Sequence, residues 1–387
     1  VSRPRAYLDH NATSPLRPEA RAAVLAALEI SGNASAVHAQ GRAARKVIEA
    51  ARADVASLLG IVPESIVFIS GGSEGAATLL APGLRRAAGR PVERLIVSAV
   101  EHSCVLSGGR FAPADVTLCP VDADGLVDLD ALDRLLAANA RPALVALMLA
   151  NNETGVVQPV RAAADRVHAR GGVLVCDAVQ GLGKLPIDLT ALGADALFVS
   201  GHKIGAPQGV GALVLGSDLR LPAALIRGGT QENRRRAGTE NLSGIAGFGA
   251  AAAAIRRDGS AEIARMTALR DWMEDRLRTI SPETVVLGSR ATRLPNTSAL
   301  ALAGLIGETT VIACDLAGVS IAAGSACASG KVAPSHVLTA MGLAPEAARC
   351  VVRVSLGWSS TEADVEQFLT VWRKHRDTVF ARRARAA

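Results

Sequence analysis

The sequence predicts an α/β protein: a large domain with a mostly parallel sheet covered by helices on both faces, then a smaller α+β domain. Two observations predict this. Short β-branched or Leu-rich runs alternate with long Ala-rich stretches of helical periodicity, the pattern of strands joined by crossover helices. The polar residues of most chemical interest also directly follow those runs, and ligands in such folds bind at the carboxyl ends of the strands.

Strands are expected at Ile66–Ser70, Arg94–Ala99, Leu144–Leu149, Val173–Cys176, Ala196–Ser200 and Gly211–Leu215. Leu129–Ala138 and Arg161–Arg170 read as amphipathic helices. The groups following the strands are Gly71-Gly72-Ser73-Glu74, Glu101-His102, Asn151-Asn152-Glu153, Asp177 and Ser200-Gly201-His202-Lys203. One catalytic floor accounts for them better than five unrelated loops. From Glu262 the pattern changes. A helix to Ile280 precedes a Pro-bounded strand region at Pro295–Ala303, a Gly/Ala/Ser loop, a strand at Val351–Ser355 and a final helix. The expected division is a large domain at 16–261. A small domain at 1–15 and 262–387 carries the loop 322–330.

Composition excludes several classes. With 387 residues, 49% hydrophobic and 20% charged, the chain can bury a large core and is not disordered. Its longest nearly unbroken apolar stretch, Ile245–Ile255, is far short of the roughly 18–20 residues of a membrane span. Val1–Asp9 has no apolar signal-peptide core, so a cytoplasmic protein is expected. The net charge of +6 is modest, aromatics are only 3%, and basic runs such as Arg234-Arg235-Arg236 are short. No nucleic-acid partner is expected. Six cysteines without a CxxC pair or ligand-like histidine spacing point to no metal site and no disulfide framework.

Only five lysines occur: Lys46, Lys184, Lys203, Lys331 and Lys374. Lys203 alone directly follows a buried-looking strand. Desolvation there would lower its pKa and make it a usable amine nucleophile, although a strand-end lysine can also simply point to solvent. Lys184 reads as an ordinary residue of a connecting loop. Asp177 ends the preceding strand, so adjacent parallel strands would place it on the same rim as Lys203. Pyridoxal phosphate requires such a pair, a lysine for the Schiff base and a carboxylate for the pyridine nitrogen. Asp177 could equally cap the next turn. Gly72-Ser73, at a strand-to-helix junction, offers a phosphate cradle or merely a turn, and Ser200 and His202 could add donors. His102 at a strand end could stack on an aromatic ring and shuttle protons, or be a satisfied loop histidine. Cys327 sits among small residues in Gly324-Ser325-Ala326-Cys327-Ala328-Ser329-Gly330, where a thiol is a better nucleophile candidate than a packed one. The other five cysteines read as small core residues. Arg353, inside an apolar strand, requires an anionic partner: a substrate carboxylate or an internal carboxylate.

Together these segments resemble a group I cysteine desulfurase of the NifS/IscS type, a fold-type I pyridoxal-phosphate-dependent transferase of the class V aminotransferase family. The resemblance runs nearly end to end. It rests on Tyr7-Leu8-Asp9-His10-Asn11-Ala12-Thr13, Gly32-Asn33-Ala34-Ser35, His38, Gly41-Arg42, Glu101-His102 and Asn151-Asn152-Glu153-Thr154-Gly155. It continues through Asp177-Ala178-Val179-Gln180, Ser200-Gly201-His202-Lys203, Arg236-Ala237-Gly238-Thr239 and Gly324-Ser325-Ala326-Cys327. The resemblance implies that Lys203 is the Schiff-base lysine, Asp177 the partner of the ring nitrogen and Gln180 a contact of the ring's phenolic oxygen. Gly72, Ser73, Ser200 and His202 would hold the phosphate, with Thr239 from the second subunit of a homodimer. His102 would stack on the ring and move protons. Asn152 would contact both cofactor and substrate, and Asn11 and Arg353 the substrate. Cys327 would take sulfur from L-cysteine as a persulfide, leaving alanine, for an iron–sulfur scaffold or another acceptor protein. A selenocysteine lyase or an aminotransferase of the same fold is the alternative. The chain departs from the family pattern at Gly71-Gly72-Ser73-Glu74, at Gly205-Ala206-Pro207-Gln208 and at His10.

Overall fold

A computed structural model describes residues 5–323, 327–328, 331–332 and 334–386; the side chains of 327–328, 331–332 and 386 are not described. Seven strands form the large sheet: β1 (Ile66–Ile69), β2 (Arg94–Ser98), β3 (Val116–Cys119), β4 (Ala143–Met148), β5 (Val173–Asp177), β6 (Ala196–Ser200) and β7 (Gly211–Leu215). Their spatial order is β1-β7-β6-β5-β4-β2-β3. Only β7 runs against the others, so β1 is parallel to β6 and a single edge collects the carboxyl ends of β1, β2, β4, β5 and β6. The mostly parallel sheet is as the sequence predicts, with strand ends shifted by a residue at most. The strand at Val116–Cys119 was not among those expected: Val116, Thr117 and Leu118 retain some exposure, and an edge strand lacks the continuous apolar run of a central one.

Side-chain alternation builds two cores from one sheet. Val145, Leu147, Leu174, Cys176, Leu197 and Val199 face one side with the helices α1 (Pro18–Leu28), α2 (Ala39–Leu58), α5 (Leu129–Ala137) and α6 (Val160–Ala169). Leu144, Ala146, Val173, Val175, Ala196 and Phe198 face the other side, against α3 (Gly72–Leu79) and α4 (Ser103–Leu106).

The helix expected to start at Glu262 begins twenty residues earlier. It is one continuous 39-residue helix, α7 (Leu242–Ile280). Its first half, with Ile245, Phe248 and Ile255, packs into the large-sheet core. Its second half, with Met266, Met273 and Leu277, joins a separate core around Leu300, Val352, Val354, Phe368 and Trp372. Residue 261 therefore lies inside a helix shared by both cores. Small residues in the first half hid the helical stripe from a reading of hydrophobic periodicity. The second core covers a four-stranded antiparallel sheet, β8 (Val285–Val286), β9 (Thr297–Ala301), β10 (Ala322–Ala323) and β11 (Val351–Ser355), in the order β8-β9-β11-β10. The last helix, α9, covers Glu362–Ala386, after α8 at Gly307–Leu316. No helix among the described residues is long and apolar enough to cross a membrane.

The N-terminal arm links the two parts. Ala6–Tyr7 pairs in parallel with Val319–Ser320, and Asp9 bridges to Ser355. Five residues further on, Ser14 N–H donates to the His202 carbonyl at the end of the large sheet. His10 is buried between Ser14 and Ser360. A Cβ at Gly357 would fall inside the His10 ring, so the two positions are matched. Burial, aided by nearby Lys184 and Arg17, lowers the His10 pKa to about 3, and the ring is neutral packing.

Candidate active site

At the collecting edge of the sheet lies a cavity of about 390 Å³. Asn11, Gly72, Ser73, His102, Cys104, Asn152, Asp177, Gln180, Ser200, His202, Lys203 and Arg353 line it. All the expected site residues on the described side chains are gathered there except Thr239. That residue is exposed and outside the cavity of its own chain. Cys327 belongs to a short antiparallel pairing with Val332, and its thiol lies outside the described residues.

β6 runs straight into a 3-10 turn, Gly201–Ile204, that carries Lys203. Gly205 closes the turn with φ +81, a conformation that a β-carbon disfavours. Lys203 Nζ donates to the carbonyls of Asn11 at 2.6 Å and Ala12 at 2.8 Å. Burial and the Arg353 cation lower its pKa to about 8, against the pull of Asp177 and Asp9. An amine so placed is a nucleophile near neutral pH.

Asp177 ends β5, and register sets it opposite Phe198 of β6. Its Oδ1 accepts from Val179 N–H at 2.9 Å. Burial raises its pKa to about 6. It forms no ion pair among the described residues, so this buried acid awaits a cationic partner. Beneath it, Glu101 is fully buried. Its Oε1 accepts from Met148 N–H, and its Oε2 has no partner among the described residues. Burial and the neighbouring Asp177 raise the Glu101 pKa well above the usual carboxylate value.

The opposite chemistry is set out at the start of α3. Gly71 adopts φ +149, and a Cβ there would meet Ser200 Oγ at 3.4 Å. The glycine therefore keeps the helix N-terminus and the Ser200 hydroxyl in close company. Free backbone N–H groups at Gly72 and Ser73 favour an anion. His202, held neutral by burial and Lys203 with a pKa of about 4, faces Thr13 Oγ1 at 3.2 Å.

His102 Nδ1 accepts the backbone N–H of Cys104 at 3.2 Å, capping α4, and lies 3.1 Å from Cys104 Sγ. That leaves Nε2 to carry the proton of the neutral ring. Burial, Lys203 and His336 lower the His102 pKa, which favours this neutral form.

Arg353 combines both alternatives left open by its sequence. It lines the cavity, and it also pairs with Asp9 at 2.7 Å and donates to the Asn152 carbonyl at 2.9 Å. Its Nε is buried without a partner among the described residues. Asn11 lines the cavity too, but its carboxamide is fully engaged. Nδ2 donates to the Asn152 carbonyl and Thr297 Oγ1, and Oδ1 accepts from Asn296 and Lys184. It has no spare donor for a substrate.

Two further residues of the site were read from the sequence as ordinary. Lys184 is not an ordinary loop lysine but is 6% exposed behind the cavity. Cys104 is not a core cysteine but half-buried in the cavity wall. Burial, Asp177 and Glu101 push its thiol up to about 12, so it stays protonated. Their spacing, four residues after Gln180 and two after His102, was the available clue.

A carboxylic acid without a cation, an anion-seeking helix start and a depressed lysine amine in one cavity fit pyridoxal phosphate. Residues 6–368 match the family aminotransferase class-V. The chain is 42% identical to a cysteine desulfurase of Cereibacter sphaeroides over 95% of its length and 94% of that protein. It is 37% identical to the cysteine desulfurase IscS of Dictyoglomus turgidum, over 94% and 93% of the two chains. Its fold matches a NifS-like protein from Rickettsia africae with a TM-score of 0.86 and 33% identity, covering 96% of this chain and 99% of that one. With Lys203, Asp177 and the α3 cradle in one cavity, these likenesses show that the chain belongs to the aminotransferase class-V family, close to its cysteine desulfurases.

Proposed function

We infer that this chain is a pyridoxal-phosphate-dependent cysteine desulfurase, which moves the sulfur of L-cysteine to its own Cys327 and releases alanine. The observation that carries this reading is that Asp177, ending one strand, and Lys203, in the turn after its neighbour, line one cavity, in a chain 42% identical to a cysteine desulfurase. When bound, the cofactor supplies an aldehyde that condenses with amines and a ring that accepts electrons.

The roles of this chain follow from position and protonation. Lys203 offers an amine that loses its proton near pH 8, with Asn11 and Ala12 carbonyls holding it in place. Asp177 stabilises a proton on a ring nitrogen. Gly72, Ser73, Ser200 and His202 receive the phosphate, with Thr239 of a second copy completing the set. Gln180, His102 and Asn152 border the ring. Arg353 and Asn152 orient the carboxylate of L-cysteine, which competes with Asp9 for the guanidinium. His102 donates and recovers a proton at Nε2. The Cys327 thiolate forms an S–S bond with the substrate sulfur as the C–S bond breaks. The electron pair of that bond stays on the carbon that becomes the alanine methyl group. The persulfide then passes to an acceptor protein, an iron–sulfur scaffold being the class we favour.

Borohydride trapping tests the reading. Protein incubated with pyridoxal phosphate should be yellow, and reduction should fix a pyridoxyl group on Lys203. An adduct on Lys46, Lys184, Lys331 or Lys374 would sink the assignment. Comparing L-cysteine with L-selenocysteine, and assaying amino transfer to a keto acid, separates the desulfurase from its fold relatives.

A further inference from the structure

Lys184 is a buried lysine with no carboxylate beside it among the described residues, which is an unusual arrangement. Its Nζ donates to Gln180 Oε1 at 2.9 Å and Asn11 Oδ1 at 3.1 Å. Cationic Lys203 and Arg353 lie near it, and His10 and Arg17, with Arg17 paired to Glu262, share the small hollow behind it. Burial and the two cations hold its pKa well below the usual lysine value. Two amide oxygens receive the N–H groups of this amine.

This geometry fixes the two carboxamides. With Oε1 turned to Lys184, Gln180 Nε2 donates one N–H to the Asn11 carbonyl at 2.9 Å, and its second N–H has no acceptor among the described residues. Gln180 lines the cavity, so the group it can offer a ligand is a donor. Rotated by half a turn, the same side chain would present an acceptor. The Asn11 carbonyl that receives Gln180 also receives Lys203 Nζ. One amine therefore controls the donor on the cavity wall and the holder of the reactive lysine.

We infer that Lys184 is a positioning residue of the site: its amine sets which end of the Gln180 carboxamide meets the cavity and steadies the Asn11 carbonyl that holds Lys203. The inference rests on the proposed cofactor for its ligand but on the hydrogen bonds of this chain for its substance.

A double-mutant cycle of Lys184→Met, Gln180→Met and the pair tests it. The readouts are the dissociation constant for pyridoxal phosphate, the visible absorption band and the melting temperature of cofactor-free protein. Lys184→Met should weaken cofactor binding about tenfold and shift the visible band, since two buried acceptors lose their donor. The double variant should lose clearly less than the product of the two single losses, because part of the effect of Lys184 passes through Gln180. Lys184→Gln, which keeps N–H donors, should recover most of the band and also serves if Lys184→Met folds poorly. An unchanged band in Lys184→Met, a band in Lys184→Gln no nearer that of the unaltered protein than the band of Lys184→Met, or fully multiplicative effects in the pair, would overturn the inference. If the unaltered protein gives no visible band, the cofactor reading fails instead. The melting temperatures then decide alone: non-additive losses support the network and additive losses refute it.

Discussion

At the level of single residues, each chemical role depends on what burial does to one proton. Lys203 is depressed to about 8 and Asp177 raised to about 6, so the same desolvation readies an amine and leaves an acid in need of a cation. Lys203→Ala should abolish the visible band while the far-ultraviolet circular dichroism is unchanged. Asp177→Asn should retain the band and lose at least about 100-fold in kcat, because an amide cannot stabilise a ring proton electrostatically. The cysteines separate by environment. Cys104, protonated against His102, should be replaceable by Ala with alanine production still measurable, whereas Cys327→Ser should bind cofactor and release essentially no alanine. Peptide mass after one turnover should place the persulfide on Cys327, and a persulfide on Cys104 would reverse these roles.

Among the elements, close approach decides more than propensity. α3 lies so near β6 that a Cβ at Gly75 would sit 2.7 Å from Phe198 Cβ. Gly75→Ala should therefore displace the helix despite alanine's better helix propensity, costing about 1–3 kcal/mol by urea unfolding and weakening cofactor retention. The segment before Thr239 shows a second case. Glu232, Asn233 and Arg234 all adopt positive φ, at +47, +54 and +64. Such strain persists only where surrounding structure enforces it. Here Glu232 is buried, pairs in bidentate fashion with Arg52 at 2.7 and 2.8 Å and accepts from Phe68 N–H. Glu232→Ala should cost about 1–3 kcal/mol by urea unfolding, because Phe68 N–H loses its acceptor and Arg52 is left with only Glu49 and the Ile66 carbonyl. A loss below about 1 kcal/mol would mean that the turn holds itself.

For the whole molecule, pH and assembly give the readouts. The raised Asp177 pKa makes its contribution to the stability of cofactor-free protein greatest below about 4 and lost as pH rises through about 6. The lowered Lys203 pKa acts in the other direction: its penalty applies below about 8 and is relieved as pH rises towards the ordinary lysine value. Both groups are charged and uncomfortable between about 6 and 8. A ligand that sets a cation on Asp177 and consumes the amine relieves both. The rise in melting temperature on adding pyridoxal phosphate should thus be larger at pH 7.5 than at pH 5, and an equal rise would contradict the pairing. Complementation tests the dimer. Lys203→Ala and Thr239→Ala should each be impaired, and equal mixing with subunit exchange should restore about a quarter of the full number of intact sites. No gain on mixing would place Thr239 outside the partner's site.

Local sequence determined the strands, because continuous apolar runs admit few alternatives, and it determined the polar loops that follow them. Lys203, Asp177 and His102 were legible because one chemistry unites residues at successive strand ends. Only the tertiary structure decided the surroundings of those residues. Lys184 and Cys104 look ordinary because decisive neighbours come from segments distant in sequence: Arg353 and Asn11 for one, Asp177 for the other. The same is true of Asn11, whose four side-chain hydrogen bonds go to three other segments and leave it a hub instead of a free hand. The continuity of α7 also escaped the sequence, since its two halves serve different cores and follow no single apolar stripe. Periodicity reports the neighbours a residue has along its own element, whereas desolvation and hydrogen-bond partners are set by elements that only folding brings together.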